Sequence, residues 1–283
     1  MIQKDKLKPV VRKYLLENNL LVNEAIIIPI KVGINDDTYL INIKNNKSVL
    51  KIVKRNKIGQ TLGFTKQINL IKYLSSFMIT PKLIHSSDKN SILLFEYKED
   101  SCNKNKFNIN NTKRILSVLK ELHKLEFDLP HIEIKRNAKE YIKFIGGEQN
   151  LDIEKKKWCK DMYSLASFFD NNFLGNSLCH NDLVSENIID DGKIWLIDFE
   201  YAIRSDPVID LAGIVAMNNY DLSKIKDLIE IYYSGKEPFS IKVFNDIVYL
   251  LRLLSYFWTL SYSKQTKSKD KLIFARYIEE MIK

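Results

Sequence analysis

Short apolar runs rich in β-branched residues alternate with turn-forming residues in the first third of the chain. Such runs are typical of strands in an antiparallel sheet. Before them, Val10, Val11, Tyr14 and Leu15 have helical spacing and predict an amphipathic helix within the first 18 residues. The elements predicted here are this helix, strands at 25–31, 38–44, 48–54, 82–87 and 91–97, and a helix at 62–76.

Helical patterns dominate the rest of the chain. A polar stretch at 98–111 separates them from the strand-rich part, and one strand-loop-strand unit interrupts them between Ser177 and Phe199. This segregation predicts an α+β protein with two domains, which we place at residues 1–97 and 98–283. The predicted helices of the second part are 112–124, 153–172, 208–217, 222–233, 240–262 and 270–282.

Composition and charge limit the classes of partner. Of the 283 residues, 45% are hydrophobic and 28% are charged, which is typical of a folded globular protein. The formal net charge of +9 is scattered, and the basic run 155–157 lies close to Asp152, Glu154 and Asp161. A nucleic-acid surface would gather basic residues into a stripe with aromatic residues between them. We therefore expect a solvated basic surface that weakly attracts anions such as ATP, and no nucleic-acid partner.

Cysteine usage and hydropathy indicate the compartment. Cys102, Cys159 and Cys179 form no CxxC pair, and the four histidines lie far apart in the sequence. Neither a disulfide framework nor a zinc site is expected from this pattern. Charges interrupt the first residues where a signal peptide would have an apolar core, and no stretch reaches the ~20 apolar residues that span a bilayer. We expect a cytoplasmic protein without membrane insertion.

The segment LCHNDLVSENIIDDGKIWLIDFEYA carries the candidate chemistry. It contains His180-x-Asp182-x4-Asn187, a short hairpin, and an apolar strand that ends at Asp198. Phosphoryl transfer needs a carboxylate near the attacking hydroxyl and hard oxygen ligands for Mg²⁺ around the phosphates. Each residue alone has a commoner role, since a loop aspartate usually forms a turn and a histidine usually supports structure. We interpret His180 as an anchor of the loop and the combined order as a phosphotransferase site.

This segment resembles the catalytic and metal-binding loops of the superfamily of choline kinases, thiamine kinases and aminoglycoside phosphotransferases, which is related to protein kinases. LIDFEYA followed by SDPVIDLA is similar to the choline kinase branch in particular. The resemblance implies a bilobal protein-kinase-like fold, with an N-terminal sheet lobe that carries one main helix and a larger helical C-terminal lobe. It also implies ATP and Mg²⁺ as cofactors.

Carried over to this chain, the resemblance implies roles for individual residues. Asp182 becomes the base, and Asn187 and Asp198 become the Mg²⁺ ligands. Asp210 becomes a structural support that hydrogen-bonds the backbone of the catalytic loop. Glu200 lies beside the metal site, where it either tunes the metal or contacts substrate, or is only a solvated residue after a strand.

The same resemblance places ATP-binding residues in the first lobe. Gly33 and Asn35 lie in the turn where the family has a phosphate-covering loop, and a glycine there permits a close backbone approach. Lys51 is at the position of the phosphate-pairing cation. Glu96 and Tyr97 lie where the family's backbone binds adenine.

Three residues of this lobe depart from the family's pattern. Val32 replaces a glycine, Asp36 stands where an asparagine is usual, and Gln67 is the best candidate for the glutamate that pairs with Lys51. An added carboxylate near phosphates is unfavourable unless it faces magnesium or solvent. Either a hydrogen bond replaces the usual ion pair or Gln67 is not the partner.

Aromatic residues bear on the identity of the acceptor. The quaternary ammonium of choline has no N–H, so its recognition relies on aromatic faces and a carboxylate. Trp258 matches the first tryptophan of the family's W-x-x-W, but Ser261 occupies the second position and Met217-Asn218 the acidic one. Tyr201, Tyr220, Tyr256 and Phe257 are candidates to complete an aromatic wall, although Tyr256 and Phe257 lie on an apolar helix where aromatic residues more often belong to the core. The acceptor-binding residues predicted here are Asp182, Glu200, Tyr201, Trp258 and Tyr262.

Several functions stay open at this point. Choline is the leading acceptor, with ethanolamine, thiamine or another amino alcohol next and an aminoglycoside last. A catalytically impaired pseudokinase that binds nucleotide belongs to a different class, favoured by Val32 and Gln67 and opposed by the complete catalytic trio. A protein kinase fits poorly, because no A-P-E segment or activation loop follows Asp198. Oligomeric state, pathway and the choice between Mg²⁺ and Mn²⁺ are not predicted.

Overall fold

The computed structural model describes residues 9–18, 25–32, 36–53, 62–89, 91–101, 106–267 and 269–283. They fall into two compact units, Met1–Cys102 with Ile189–Ile197, and Asn103–Ile188 with Asp198–Lys283. The first unit holds a sheet and the second is mainly helical, so the chain has the predicted α+β class. The domain limits at 97 and 98 stay a prediction.

An antiparallel sheet of five strands forms the centre of the first unit. Its strands are β1 (Ile26–Val32), β2 (Asp36–Ile43), β3 (Asn46–Val53), β4 (Leu83–Ser87) and β5 (Ile92–Glu96). The same unit contains the helices α1 (Pro9–Glu17) and α2 (Phe64–Ser76). The strand order is β1-β2-β3-β5-β4. The first three strands therefore form the predicted meander, and β5 lies between β3 and β4.

Each face of this sheet packs against its own helix, because alternate residues of a strand point to opposite faces. On β5, Ile92 and Leu94 pack in a cluster that includes Tyr14 of α1. Leu93 between them packs in a separate cluster that includes Ile68 of α2. Fully burying one such side chain contributes about 1.5–3 kcal/mol, so both helices are held by ordinary hydrophobic packing.

The predicted hairpin around Gly192 belongs to the first unit, although residues of the second unit flank it in the sequence. Gly192 has φ +100°, a conformation that other residues rarely adopt. Leu196 N donates to Ile79 O at 2.9 Å, and Ser101 N donates to Asp190 O at 2.8 Å. These hydrogen bonds join the hairpin to distant parts of the unit.

Helices make up most of the second unit. α6 is apolar along most of its length and nearly every residue of it is buried, which is typical of a helix at the centre of a core. The helices are α3 (Ile109–Lys124), α4 (Ile134–Phe144), α5 (Ile153–Asn172), α6 (Val208–Met217), α7 (Ile225–Tyr233), α8 (Ile241–Thr266) and α9 (Lys269–Ile282). The short strands of the second half of the chain are β6 (Ser177–Cys179), β7 (Ile188–Asp190), β8 (Ile194–Leu196) and β9 (Ile203–Ser205).

A few elements differ from the sequence-based expectation. Helix α4 was not predicted, although Ile134, Ala138 and Ile142 recur at helical spacing and are buried. Strand β9 was not predicted, because three residues are too short to show an alternating pattern. The helix expected from residue 222 begins with a 3₁₀ turn at Leu222–Lys224, and α8 continues to Thr266.

Cys159 and Cys179 are buried free thiols. Burial raises the pKa of Cys159 to about 11 and that of Cys179 well above its ordinary value. Since the thiolate is the reactive form, neither residue has the character of a nucleophile. Cys102 lies outside the described residues. Within the part of the chain that the structure describes, no helix is long and apolar enough to cross a bilayer.

Candidate active site

A buried carboxylate shapes the segment that follows β6, residues 180–187, which we call the catalytic loop. Asp210 lies in the first turn of α6. Its Oδ2 accepts a hydrogen bond from His180 N at 2.8 Å, and its Oδ1 accepts one from Asn181 N at 2.7 Å. Asn181 has φ +62°, a left-handed conformation that asparagine adopts more readily than most residues. Asp210 therefore holds the turn by which the loop leaves the strand.

Two further residues, neither of which was predicted from the sequence, form a hydrogen-bonded chain that ends at Asp210. Nε2 of His123 lies 3.0 Å from Asp210 Oδ2, and the Tyr232 hydroxyl lies 2.6 Å from Nδ1 of the same ring. Burial alone would raise the pKa of Asp210, but the hydrogen bond and charge of His123 outweigh it and lower that pKa below its ordinary value of 3.8. The carboxylate is therefore charged at neutral pH.

His123, Cys179 and Asp210 also bring one potential metal-ligand atom each within 4.8 Å of one another. Both ring nitrogens of His123 already have hydrogen-bond partners. Sγ of Cys179 lies 3.7 Å from Ser205 O and 3.6 Å from Asp206 O, to which the thiol donates. This cluster therefore fits a structural role.

The predicted base and one predicted metal ligand are joined directly. Nδ2 of Asn187 donates to the carboxylate Oδ2 of Asp182 at 2.9 Å and to its main-chain oxygen, also at 2.9 Å. Both bonds use the amide nitrogen of Asn187. Its carbonyl oxygen Oδ1, which is the kind of atom that Mg²⁺ binds, is not used by either.

The second predicted metal ligand follows the hairpin. Asp198 has φ +70° and ψ +57°, a left-handed conformation that costs a residue other than glycine about 1–3 kcal/mol. Phe199 comes next, and its ring lies 4.4 Å from the ring of the fully buried His180. Nδ1 of His180 in turn accepts a hydrogen bond from Asp182 N at 3.3 Å. His180 thus contacts the segments that carry the predicted base Asp182 and the predicted metal ligand Asp198.

Three carboxylates act on the hydroxyl of Tyr201 electrostatically. Burial raises the pKa of Tyr201 well above its ordinary value, and Glu200, Asp182 and Asp198 add to the rise. Its hydroxyl is buried and has no hydrogen-bond partner among the described residues. A buried hydroxyl without a partner costs about 1–3 kcal/mol.

Three of the predicted acceptor-binding residues form an aromatic cluster. The ring centroids of Tyr201 and Trp258 are 6.4 Å apart at 90°, and those of Trp258 and Tyr262 are 5.3 Å apart at 31°. Tyr256 and Phe257 are buried, in agreement with the core role expected for them.

The family's acceptor positions that differ in this chain have structural roles. Ser261 is fully buried, and its hydroxyl donates to Trp258 O within α8 at 2.8 Å. Nδ2 of Asn218 donates to Leu183 O in the catalytic loop at 2.7 Å. Neither position therefore supplies an aromatic or acidic side chain for an ammonium group.

Lys106, which the sequence did not indicate, contacts the catalytic loop. Its ammonium donates to Ser185 O at 2.8 Å and also to Ile188 O. These carbonyls lie on either side of Asn187. Because Lys106 is far away in the sequence and sits in a polar stretch, no local pattern distinguishes it from a solvated lysine.

In the first unit, Lys51 has an unexpected partner. Its ammonium lies 3.0 Å from the carboxylate of Asp36, and both side chains are largely buried. Lys51 pairs with Leu93 in the β3–β5 register and therefore faces α2. Gln67 of α2 is buried, and its Oε1 has no hydrogen-bond partner among the described residues. The side chain of Val32 lies outside the described part.

The remaining predicted ATP-binding residues are only partly described. Gly33 and Asn35 lie outside the described residues. The carboxylate of Glu96 lies 2.8 Å from the ammonium of Lys98. Tyr97 follows directly after the last residue of β5.

Comparison with known proteins defines the class first. The fold matches the choline kinase LicA from Streptococcus pneumoniae with a TM-score of 0.79 at 19% identity, over 96% of this chain and 98% of that one. It matches a choline/ethanolamine kinase family protein from Mesorhizobium loti with a TM-score of 0.79 at 17% identity, over 96% and 92% of the two chains. The chain therefore has the protein-kinase-like fold of small-molecule kinases.

The sequence then defines the family. The model of the choline/ethanolamine kinase family matches residues 27–232, and the chain belongs to this family. A curated relative, the LicA homologue of Mycoplasma capricolum, is 26% identical over 196 residues, which are 67% of this chain and 77% of that protein. The predicted family and the predicted class, a small-molecule kinase that uses a nucleotide, are thereby confirmed.

Proposed function

We propose that the protein transfers the γ-phosphoryl group of ATP to the hydroxyl of a small amino alcohol, with choline as the first candidate, in a Mg²⁺-dependent reaction. The observation that carries this proposal is the pair of hydrogen bonds by which Asn187 holds Asp182. They keep a carboxylate beside an amide whose carbonyl oxygen remains for a cation. The name of the similar Streptococcus pneumoniae protein, choline kinase, supports the choice of acceptor.

In this proposal Asn187 Oδ1 and the carboxylate of Asp198 hold Mg²⁺. Hard oxygen donors of these two kinds suit the ion. When bound, Mg²⁺ supplies positive charge that neutralises the phosphate oxygens. The main chain at Asp198 has a left-handed conformation, which is strained for residues other than glycine. Such strain is common at functional sites.

Asp182 is the proposed base. It orients the acceptor hydroxyl and takes its proton as the hydroxyl oxygen bonds to the γ-phosphorus. The bond between that phosphorus and the bridging oxygen breaks, ADP leaves, and Asp182 later releases the proton to water. Proton transfer of this kind contributes about 10²–10⁴-fold to a rate, and positioning contributes most of the remainder.

The nucleotide and the acceptor are assigned to different residues. We place the ATP-binding residues in the proposed domain 1–97, where Lys51 steadies the phosphates, Gly33 and Asn35 cover them, and the main chain at Glu96 and Tyr97 contacts adenine. The acceptor is bound in the proposed domain 98–283. There Trp258 and Tyr262 offer aromatic faces to an ammonium group, Tyr201 offers its unpartnered hydroxyl, and Glu200 adds negative charge.

The test is Mg²⁺-dependent formation of ADP with choline, ethanolamine, thiamine and an aminoglycoside as acceptors. We expect choline to give the highest kcat/KM. Asp182→Asn should lower kcat by at least about 100-fold while ATP binding persists. Glu186→Gln removes an exposed carboxylate of the same loop and should keep kcat within about twofold. An Asp182→Asn enzyme with wild-type turnover would refute the assignment of the base.

A pseudokinase is the second candidate. The observation in its favour is that Lys51 pairs with Asp36, so the cation proposed for the phosphates already has a carboxylate partner. ATP binding without turnover on any acceptor of the panel would select this function.

A further inference from the structure

A lysine of the protein's own α9 lies over the aromatic cluster. The ammonium of Lys271 is 5.0 Å from the ring centroid of Trp258, 5.5 Å from that of Tyr262 and 5.6 Å from that of Phe274. Each distance is within the ~6 Å at which a cation is attracted to the face of a ring.

Helix energetics do not account for this placement. Lys271 is the third residue of α9, and a cation near the N-terminus of a helix is disfavoured by the helix dipole. Its side chain is nevertheless half-buried, whereas Lys269 two residues earlier is exposed. The rings of Trp258, Tyr262 and Phe274 therefore contribute to holding this ammonium.

We propose that Lys271 is an intramolecular competitor for the cationic head group of the acceptor and thereby sets the acceptor's affinity. This inference rests on the proposed function, in which Trp258 and Tyr262 bind an ammonium. Lys271 presents to these rings the same kind of charge that the acceptor would bring. Two cations cannot share one ring face without repulsion, so the lysine must move away before the acceptor binds.

The consequence follows from tethering. The acceptor can bind the rings only in molecules from which Lys271 has moved away, so its apparent affinity falls by the fraction of molecules in that state. Because Lys271 is part of the same chain, this competition does not depend on protein concentration. The same factor applies to every cationic acceptor that uses these rings.

The experiment compares the wild type with Lys271→Gln and Lys271→Met, the second of which keeps an unbranched side chain. Calorimetry measures the Kd of tetramethylammonium, a bare quaternary cation that cannot be phosphorylated. We expect both variants to lower this Kd and the KM of choline about fivefold, with the KM of ATP unchanged. Lys271→Arg, which keeps the cation, should retain the wild-type values. Lys269→Gln is the matched control, since it removes an exposed charge from the same helix.

An unchanged or higher Kd for tetramethylammonium in both variants overturns the inference, and so does binding to none of the proteins. The proposed function fails separately. If no acceptor is phosphorylated but the variants bind tetramethylammonium more tightly, the competitor role stands and the proposed reaction falls. If choline is phosphorylated with one KM in all proteins, the reaction stands and the competitor role falls. Thermal melting checks that each variant is folded.

Discussion

Several side chains around the catalytic loop have no direct part in the proposed chemistry and still determine where the reactive groups lie. Asp210 receives two main-chain N–H groups and a histidine, and His180 packs between Asp182 N and the ring of Phe199. A hydrogen bond to a charged group contributes about 1.5–3 kcal/mol. At the residue scale, the catalytic loop is therefore held by the buried carboxylate of Asp210, which is hydrogen-bonded to His180 N, Asn181 N and the ring of His123.

Asp210→Asn tests this charge through pH. Because the pKa of Asp210 is lowered in the folded protein, its contribution to stability is present above the unfolded-state pKa, near 3.8, and is lost as pH falls through the folded-state pKa. We expect the variant to lose about 2 kcal/mol of unfolding free energy at pH 7. The difference in unfolding free energy between the wild type and the variant should become smaller below about pH 4. Urea unfolding from pH 3 to 7 measures it, and a gap that is constant down to pH 3 would contradict the assignment.

At the scale of elements, the catalytic loop depends on segments far from it in the sequence. Its 3₁₀ turn at Ser185–Asn187 makes few hydrogen bonds of its own. Lys106, just before α3, donates to Ser185 O in this turn and to Ile188 O directly after it, and Asn218 at the end of α6 donates to Leu183 O. The position of Asn187 is therefore a product of the surrounding helices.

Lys106→Met removes the donor to both carbonyls. We expect kcat to fall about tenfold, because misplacement of Asn187 also releases Asp182, while the KM of the acceptor changes less. Lys113→Met removes an exposed lysine of α3 and serves as the control. Lys106→Arg should restore part of kcat, since it can donate to the same oxygens. Equal kcat in the Lys106→Met variant and the control would argue against a positioning role.

At the scale of the whole molecule, the scattered charge of +9 acts on the two substrates with opposite sign. A positive protein attracts the anionic nucleotide and repels a cationic amino alcohol, and both effects are screened by salt over about 10 Å at 0.1 M.

Raising KCl from 50 to 500 mM should raise the KM of ATP several-fold and leave the KM of choline unchanged or lower. Steady-state kinetics with each substrate varied in turn measures this, with kcat as the internal control. A KM of choline that rises in parallel with that of ATP would show that local carboxylates, rather than the net charge, dominate the attraction of the acceptor.

Local pattern predicted most elements, because each depends on neighbours in the sequence. The β-branched runs became β1 to β5, and the apolar spacing in α5 and α6 matched their bounds. Strand β9 escaped prediction because three residues carry no period. The order His180, Asp182, Asn187 and Asp198 was sufficient to suggest the family, which the family match confirmed. The roles of these four residues stay predictions.

The sequence by itself thus determined the fold class, the family and the candidate catalytic residues, since periodicity and motif order are properties of consecutive residues. Only the tertiary structure decided which side chains surround them. The carboxylate partner of Lys51, the histidine partner of Asp210, and the rings of Trp258 and Tyr262 near Lys271 lie on other elements of the fold. Such contacts result from packing of whole elements, and a single sequence carries no local signal for them.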